Sequence, residues 1–268
     1  MFKQLKLSIF EPFLVRSFRF QWPADLMASW AIEMETIILG WYVLTITDSV
    51  LVLTIFASMQ WLGTLIAPYL GVLGDRWGRR TMLCLLRASY LTTSIITMSL
   101  ALTDTLNASI ILGISFVIGL VRPSDLVMRN GLIGDTMLGN VLMKAMGVSR
   151  TTMDSARIAG ALVGAGLFSS LGIGYAYVAV TIFYVISLLL TCGVSSVKTR
   201  TCRENDTINR SPLMDLKDGL DYVWGTPTLL AAMWFAFLVN LTVFPVSHGI
   251  LPFVAKEIYN IDENGLSH

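Results

Sequence analysis

Two glutamates, Glu33 and Glu35, sit in a stretch that is otherwise largely apolar from about Ala24 to Leu44. Ionisable groups inside a membrane span are costly and mark proton or ion pathways. Both lie near the middle of that stretch at about 1.5 Å of rise per residue. Two positions apart on a helix is a rotation of about 200°, so the two carboxyls face different ways. Asp25, Ser29, Glu33, Thr36 and Gly40 fall on one polar or small stripe suited to the wall of a water-filled cavity, whereas Glu35 points toward a packed polar partner. The chemistry such residues can do is proton loading and release, with Glu33 or Glu35 as the coupling group. The alternative is a hydrogen-bonded structural role for one or both. Gln60, Asn240 and His248 are further polar groups in apolar runs that can line a cavity; for His248 a packed, hydrogen-bonded role is the plainer reading.

Arg150, Asp154 and Arg157 are spaced i, i+4, i+7 and share one helix face. Since lipid exposure of charge is costly, that face should turn into the protein. Arg122, Asp125 and Arg129 fall near the same level of a preceding helix. With Asp75 paired to Arg122 or Arg129, these groups make either a latch for one conformational state or a static ion-pair network. Ala156, Gly160 and Gly164 give a small-residue face for close helix packing. The three cysteines and two histidines have no metal-ligand spacing, and neither a Ser/His/Asp set nor a Gly-rich phosphate loop after a strand is present. Enzymatic chemistry, a bound metal and a cofactor are therefore not expected.

The elements that must position these groups follow from composition. Only 14% of the 268 residues are charged and 54% are hydrophobic, with a mean hydropathy of +0.68. An ordinary soluble domain carries about 25% charge, so most of this surface should face lipid. Seven segments approach the length of about 20 apolar residues that crosses a bilayer. They run from about Ala24 to Leu44, Ser49 to Leu73, Thr81 to Leu102 with Arg87 near its start, Ala108 to Arg122, Val141 to Gly172, Tyr175 to Val194 and Thr228 to Ala255. The fourth should carry Arg122 at its cytoplasmic edge or stop short of it. The seventh is interrupted by Pro245 and Pro252.

Lys and Arg cluster before the first segment, between the second and third, and between the sixth and seventh; the connections near Asp48, Asp104 and Gly172 have none. This alternation predicts a cytoplasmic N-terminus. The basic residues thus follow topology, which leaves nucleic-acid binding without support. Ser211 to Gly225 reads as an amphipathic helix on the membrane surface, with Pro212 at its first position.

The stretch Gly71 to Arg80, GVLGDRWGRR, lies in the basic connection after the second segment. It resembles the signature loop of the major facilitator superfamily, with Gly74 where an alanine is usual. Gly71 and Gly74 should let helix backbones approach, Gly78 should permit the turn, and Asp75 should cap or pair, while Arg76, Arg79 and Arg80 hold the loop at the cytoplasmic face. GWYVLTITDSVLVL, VRPSDLVMRN and DSARIAGALVGAGL are similar to the enterobactin-exporter-like and drug/proton antiporter branch. Two departures stand out. The arginine that the family places well inside helix 4 is missing from ILGISFVIGL, and the Gly-Pro pair of helix 5 is Gly160-Ala161.

The resemblance implies an all-α polytopic membrane protein. Residues 1–196 would form a six-helix N-terminal bundle, 197–227 a cytoplasmic connection, and 228–268 the start of a second bundle with helix 7. It further implies proton-coupled efflux of small amphiphilic molecules across a bacterial cytoplasmic membrane. An uptake symporter, an uncoupled facilitator or a half-bundle acting through a partner are the alternatives. The expected partners are the lipid bilayer, protons and a small-molecule substrate, together with a second bundle supplied by a missing C-terminal half or another copy.

Overall fold

The computed structural model describes residues 10–137, 139–194 and 221–242. Secondary structure among these is entirely helical. After a short 3-10 turn at Glu11–Leu14 come α1 (Arg16–Thr47), α2 (Val50–Met59), α3 (Ala67–Trp77), α4 (Arg79–Leu102), α5 (Ala108–Thr136), α6 (Gly139–Cys192) and α7 (Pro227–Thr242).

Local chemistry explains the boundaries. α1 ends where Asp48 turns left-handed at φ 45° and returns its N–H to the Leu44 carbonyl. Aspartate is among the few residues that adopt this conformation readily. A 3-10 turn at Leu62–Leu65 separates α2 from α3, and the chain bends by 49° there. Pro68 lies in the first turn of α3, where its missing N–H costs nothing. Gly78, at φ 90°, ends α3 and starts α4. Asn107 caps α5 by accepting from the Ile110 N–H at 3.0 Å.

α4, α5 and α6 are long and apolar enough to cross a membrane, and the bent pair α2–α3 makes a fourth candidate if it is one span. α1, which carries Asp25, Glu33 and Glu35, is not among them. α6 has 54 residues and is broken at Gly172, with φ 78° and ψ 173°. At about 1.5 Å per residue it is more than twice as long as a hydrocarbon core of about 30 Å. Its contacts show how the length is used. Before Gly172, Thr152 meets Trp22 and Gly164 meets Met34, so this arm runs parallel to α1. After Gly172, Tyr177 reaches Glu35 and Ser187 reaches the Ala24 carbonyl, so the second arm runs back. α5 is antiparallel to α1, from Leu106 beside Tyr42 to Arg129 beside Gln21.

α1 is the central element. Ala24, Ala28, Ala31, Met34 and Ile38 are completely buried in it. Its small residues admit the two arms of α6 on one side and α5 on another. The sequence placed the end of the fourth span at Arg122. α5 instead continues through Pro123 to Thr136, which puts Arg122 in mid-helix. Of the expected surface helix at Ser211–Gly225, only a turn at 221–224 is described, and it is helical. Cys202, Pro245, His248, Pro252, His268 and the Asn240 side chain lie outside the described residues.

Candidate functional site

Two sets of polar groups occupy the space between α1, α4, α5 and α6. The first is an ionic quartet of Asp25, Arg87, Asp125 and Arg129, each no more than 5% exposed. The Arg87 guanidinium donates to Asp25 and to the Thr191 hydroxyl, and its Nε lies 3.8 Å from Asp125 Oδ1. Arg129 Nε is 2.6 Å from Asp125 Oδ2 and 3.7 Å from Asp25 Oδ1. The Nη1 of Arg129 donates to Ser29 Oγ at 2.9 Å. Two acids and two bases thus neutralise one another in a water-poor interior. One group comes from α1, one from α4 and two from α5.

The second set surrounds a small cavity of about 10 Å³, room for roughly one water, lined by Ile32, Glu35, Thr36, Leu39, Phe56, Gln60, Ser115, Ile118 and Arg122. Glu35 accepts from Tyr177 Oη at 3.1 Å and from Tyr184 Oη at 2.7 Å, one on each carboxylate oxygen. Among the described residues no cation lies within ion-pair distance of it. Tyr184 stacks on Tyr90 of α4 with ring centroids 5.5 Å apart. Arg122 Nη1 donates to Gln60 Oε1 at 2.5 Å, and Arg122 Nη2 stands 3.6 Å from Glu33 Oε1. The guanidinium also lies 5.7 Å from the centroid of the Trp61 ring. The buried hydroxyl of Ser115 lines the cavity without a protein partner among the described residues.

The structure redistributes the residues expected from sequence. The stripe on α1 is split: Asp25 and Ser29 join the quartet, Glu33 faces Arg122, and Thr36 reaches the cavity. Glu35, off that stripe, is packed on a polar partner as its position suggested, yet it also lines the cavity. Arg122 is not at an edge; it sits at the level of Glu33, Thr36 and Gln60 because α5 continues past it. Asp75 pairs with neither Arg122 nor Arg129. It pairs with Arg79 at 2.9 Å, because the Gly78 break brings Arg79 back over the end of α3. Arg79 also reaches Asp135 at 2.9 Å and the Gly131 carbonyl at 2.8 Å, and Arg80 donates to the Cys192 carbonyl. Arg76 is exposed.

The charged face of α6 does not turn inward either. Arg150 and Asp154 pair at 3.3 Å with side chains 68% and 52% exposed, and Arg157 is exposed too. The neighbouring face, with Ala156, Gly160 and Gly164, is the one packed on α1. There a Cβ on Gly164 would come within 2.9 Å of Met34 Cα, and one on Gly160 within 3.2 Å of the Trp30 carbonyl. Burying small residues against a backbone outcompetes burying charge. Gly71 meets no atom within 4 Å, and Gly74 faces the Met128 side chain, so neither mediates backbone approach. Gly63 and Gly119 do: a Cβ on Gly119 would overlap the Met59 carbonyl, and one on Gly63 the Gly119 carbonyl.

Sequence reasoning missed Arg87 as a hub, along with Tyr177, Tyr184 and Ser115. Arg87 had a usable signal, since a lone arginine in an apolar span demands a buried acid. The tyrosines had none. Residues 7–265 match the model of a family described as transmembrane secretion effector. No curated protein matches the chain.

Proposed function

The chain belongs to the transmembrane secretion effector family of the major facilitator superfamily, and from that premise we propose that it is a proton-driven exporter of small amphiphilic molecules. Membership and the apolar helices make it a multi-pass membrane protein of a transporter family. The finer reading comes from the cavity. Its wall combines Ile32, Leu39, Phe56 and Ile118 with Thr36, Gln60, Ser115 and Arg122. The space is closed down to about one water in this conformation, and opened in another transport state its lining suits a ligand with an apolar body and a polar end.

Glu35 carries the coupling. As a carboxylate it accepts from both tyrosines. A proton on one oxygen turns that oxygen into a donor, the tyrosine hydroxyl facing it turns to accept, and both tyrosine contacts lose their charge assistance. Proton binding thereby loosens α1 from the second arm of α6, and Tyr184 passes the change to Tyr90 on α4. Glu33, held near Arg122, keeps the guanidinium placed beside Gln60.

The remaining organisation follows the same reading. Residues 1–196 make a six-span bundle with a cytoplasmic N-terminus in a bacterial cytoplasmic membrane, 197–227 the connection, and 228–268 the start of a second bundle. The exposed Arg150, Asp154 and Arg157 supply a reason for that second bundle, since a charged face on an apolar helix is unstable against lipid. Alternating access then rocks the two bundles about the cavity.

The test is efflux of a panel of amphiphilic drugs from the full-length protein in inverted vesicles, with and without a proton gradient. Glu35→Gln should abolish the dependence on the gradient, whereas Glu33→Gln should weaken transport and keep it. Transport that survives both substitutions with unchanged pH dependence sinks the proposal.

A further inference from the structure

The cavity and the ionic quartet leave the cytoplasm-proximal ends of α4 and α6 unused, and two cysteines meet there. Cys84 lies in the second turn of α4 and is half-buried, while Cys192 closes α6 and is exposed; both are free thiols. The helices that carry them are antiparallel and closely packed. Ser94 and Thr181 share a hydrogen bond of 2.8 Å, and Arg87 donates to Thr191, the residue next to Cys192. This register, with Ser94 opposite Thr181 and Arg87 reaching Thr191, sets Cys84 and Cys192 at the same level of the two packed helices. Arg80, in the first turn of α4, donates to the Cys192 carbonyl and holds the end of α6 in place.

We propose that Cys84 and Cys192 form a reversible disulfide site that staples the start of α4 to the end of α6. A small-molecule disulfide of the glutathione type is the oxidant. One cysteine thiolate attacks it and releases one equivalent of the reduced thiol. The second cysteine then attacks the mixed disulfide and releases another. Two protein thiols and one external disulfide become one protein disulfide and two external thiols, so atoms and electrons balance. In a reducing compartment the pair stays open, and oxidation closes it. The bond would tie the end of α6 to the turn of α4 that follows Arg79 and Arg80, so oxidation fixes the place where the chain leaves α6.

The test uses the full chain with Cys202→Ser, so that only this pair remains. Membranes are treated with glutathione disulfide, capped with maleimide and digested with trypsin. The expected product is the peptide 81–87 linked to the peptide 158–198, with both maleimide additions lost together. The oxidised protein should melt at a higher temperature than the reduced one, and dithiothreitol should reverse the shift. Cys84→Ser in the same background should show neither the link nor the shift. Separate glutathione adducts on Cys84 and Cys192 without a linked peptide would overturn the site. A linked peptide that lowers the melting temperature would overturn the fit of the staple to the native packing. None of these readouts depends on transport.

Discussion

The ionic quartet and the cavity wall are neighbours on α1, two turns or so apart, and they handle charge in opposite ways. Asp25, Arg87, Asp125 and Arg129 are two acids and two bases, all almost fully buried. Glu33, Glu35 and Arg122 are two acids and one base. Among the described residues Glu35 has only neutral tyrosine donors, and the Arg122 side chain remains 17% exposed. The quartet balances two acids with two bases. The cavity set has one acid more than it has bases, and in the proposed function one proton on Glu35 makes up the difference. On that proposal, charge balance separates a structural network from a working one better than burial does.

The sharpest way to break the comparison is to unbalance the quartet. Arg87→Met leaves Asp25 and Asp125 sharing one arginine in a buried site, and such uncompensated charge costs about 3–5 kcal/mol. The variant should melt far below the wild type in detergent. Adding Asp25→Asn should recover much of the loss, because the pair is then removed together. A single variant of normal stability would show that the quartet does not hold the bundle. Next in size is Gly119→Ala, whose methyl would overlap the Met59 carbonyl and push Gln60 away from Arg122. Overpacking of this kind costs about 1–3 kcal/mol. Gly71→Ala, with open space around it, should be silent in the same melting assay.

These two glycines also show what could be read in advance. The helical class, the family and the polar character of α1 were legible because apolar run length and the GVLGDRWGRR stretch are local properties. So was the Gly78 turn, since only a residue without a side chain accepts φ 90° easily. The pairing of charges was not legible. Asp75 chose Arg79 because the bend at Gly78 sets a local distance, and Arg122 moved to the cavity because α5 runs on through Pro123. The inward face of α6 followed Ala156, Gly160 and Gly164, where close backbone contact with α1 decides the rotation. The tyrosines around Glu35 come from more than 140 residues away, and no spacing rule reaches that far.

The cavity side of the comparison is sharpened by Tyr184→Phe. It removes the donor at 2.7 Å from one carboxylate oxygen of Glu35 and leaves Tyr177 on the other. An acceptor left unsatisfied costs about 1–3 kcal/mol, and the low end is expected because the adjoining cavity can admit water. Proton-dependent efflux should shift its pH midpoint, whereas Tyr90→Phe, which leaves the carboxylate contacts intact, should not move it. An equal shift in both variants would mean that the aromatic stack governs coupling, and not the hydrogen bonds.

The smallest effect should come from Asp75→Asn. Its carboxylate is 59% exposed, and its partner Arg79 keeps both Asp135 and the Gly131 carbonyl when Asp75 is neutralised. Exposed ion pairs contribute about 0–1 kcal/mol, so the melting temperature should barely change. Arg79 is the more important half of the pair, because it links the start of α4 to the end of α5. Arg79→Gln should therefore cost more than Asp75→Asn, which a static exposed bridge would not explain. The functional measurement is the accessibility to maleimide of cysteines introduced on each face of the cavity. Accessibility unchanged by Asp75→Asn but altered by Arg79→Gln would place control of the cavity in the α4–α5 tie. A large change with Asp75→Asn alone would return that control to the loop carboxylate, despite its exposure.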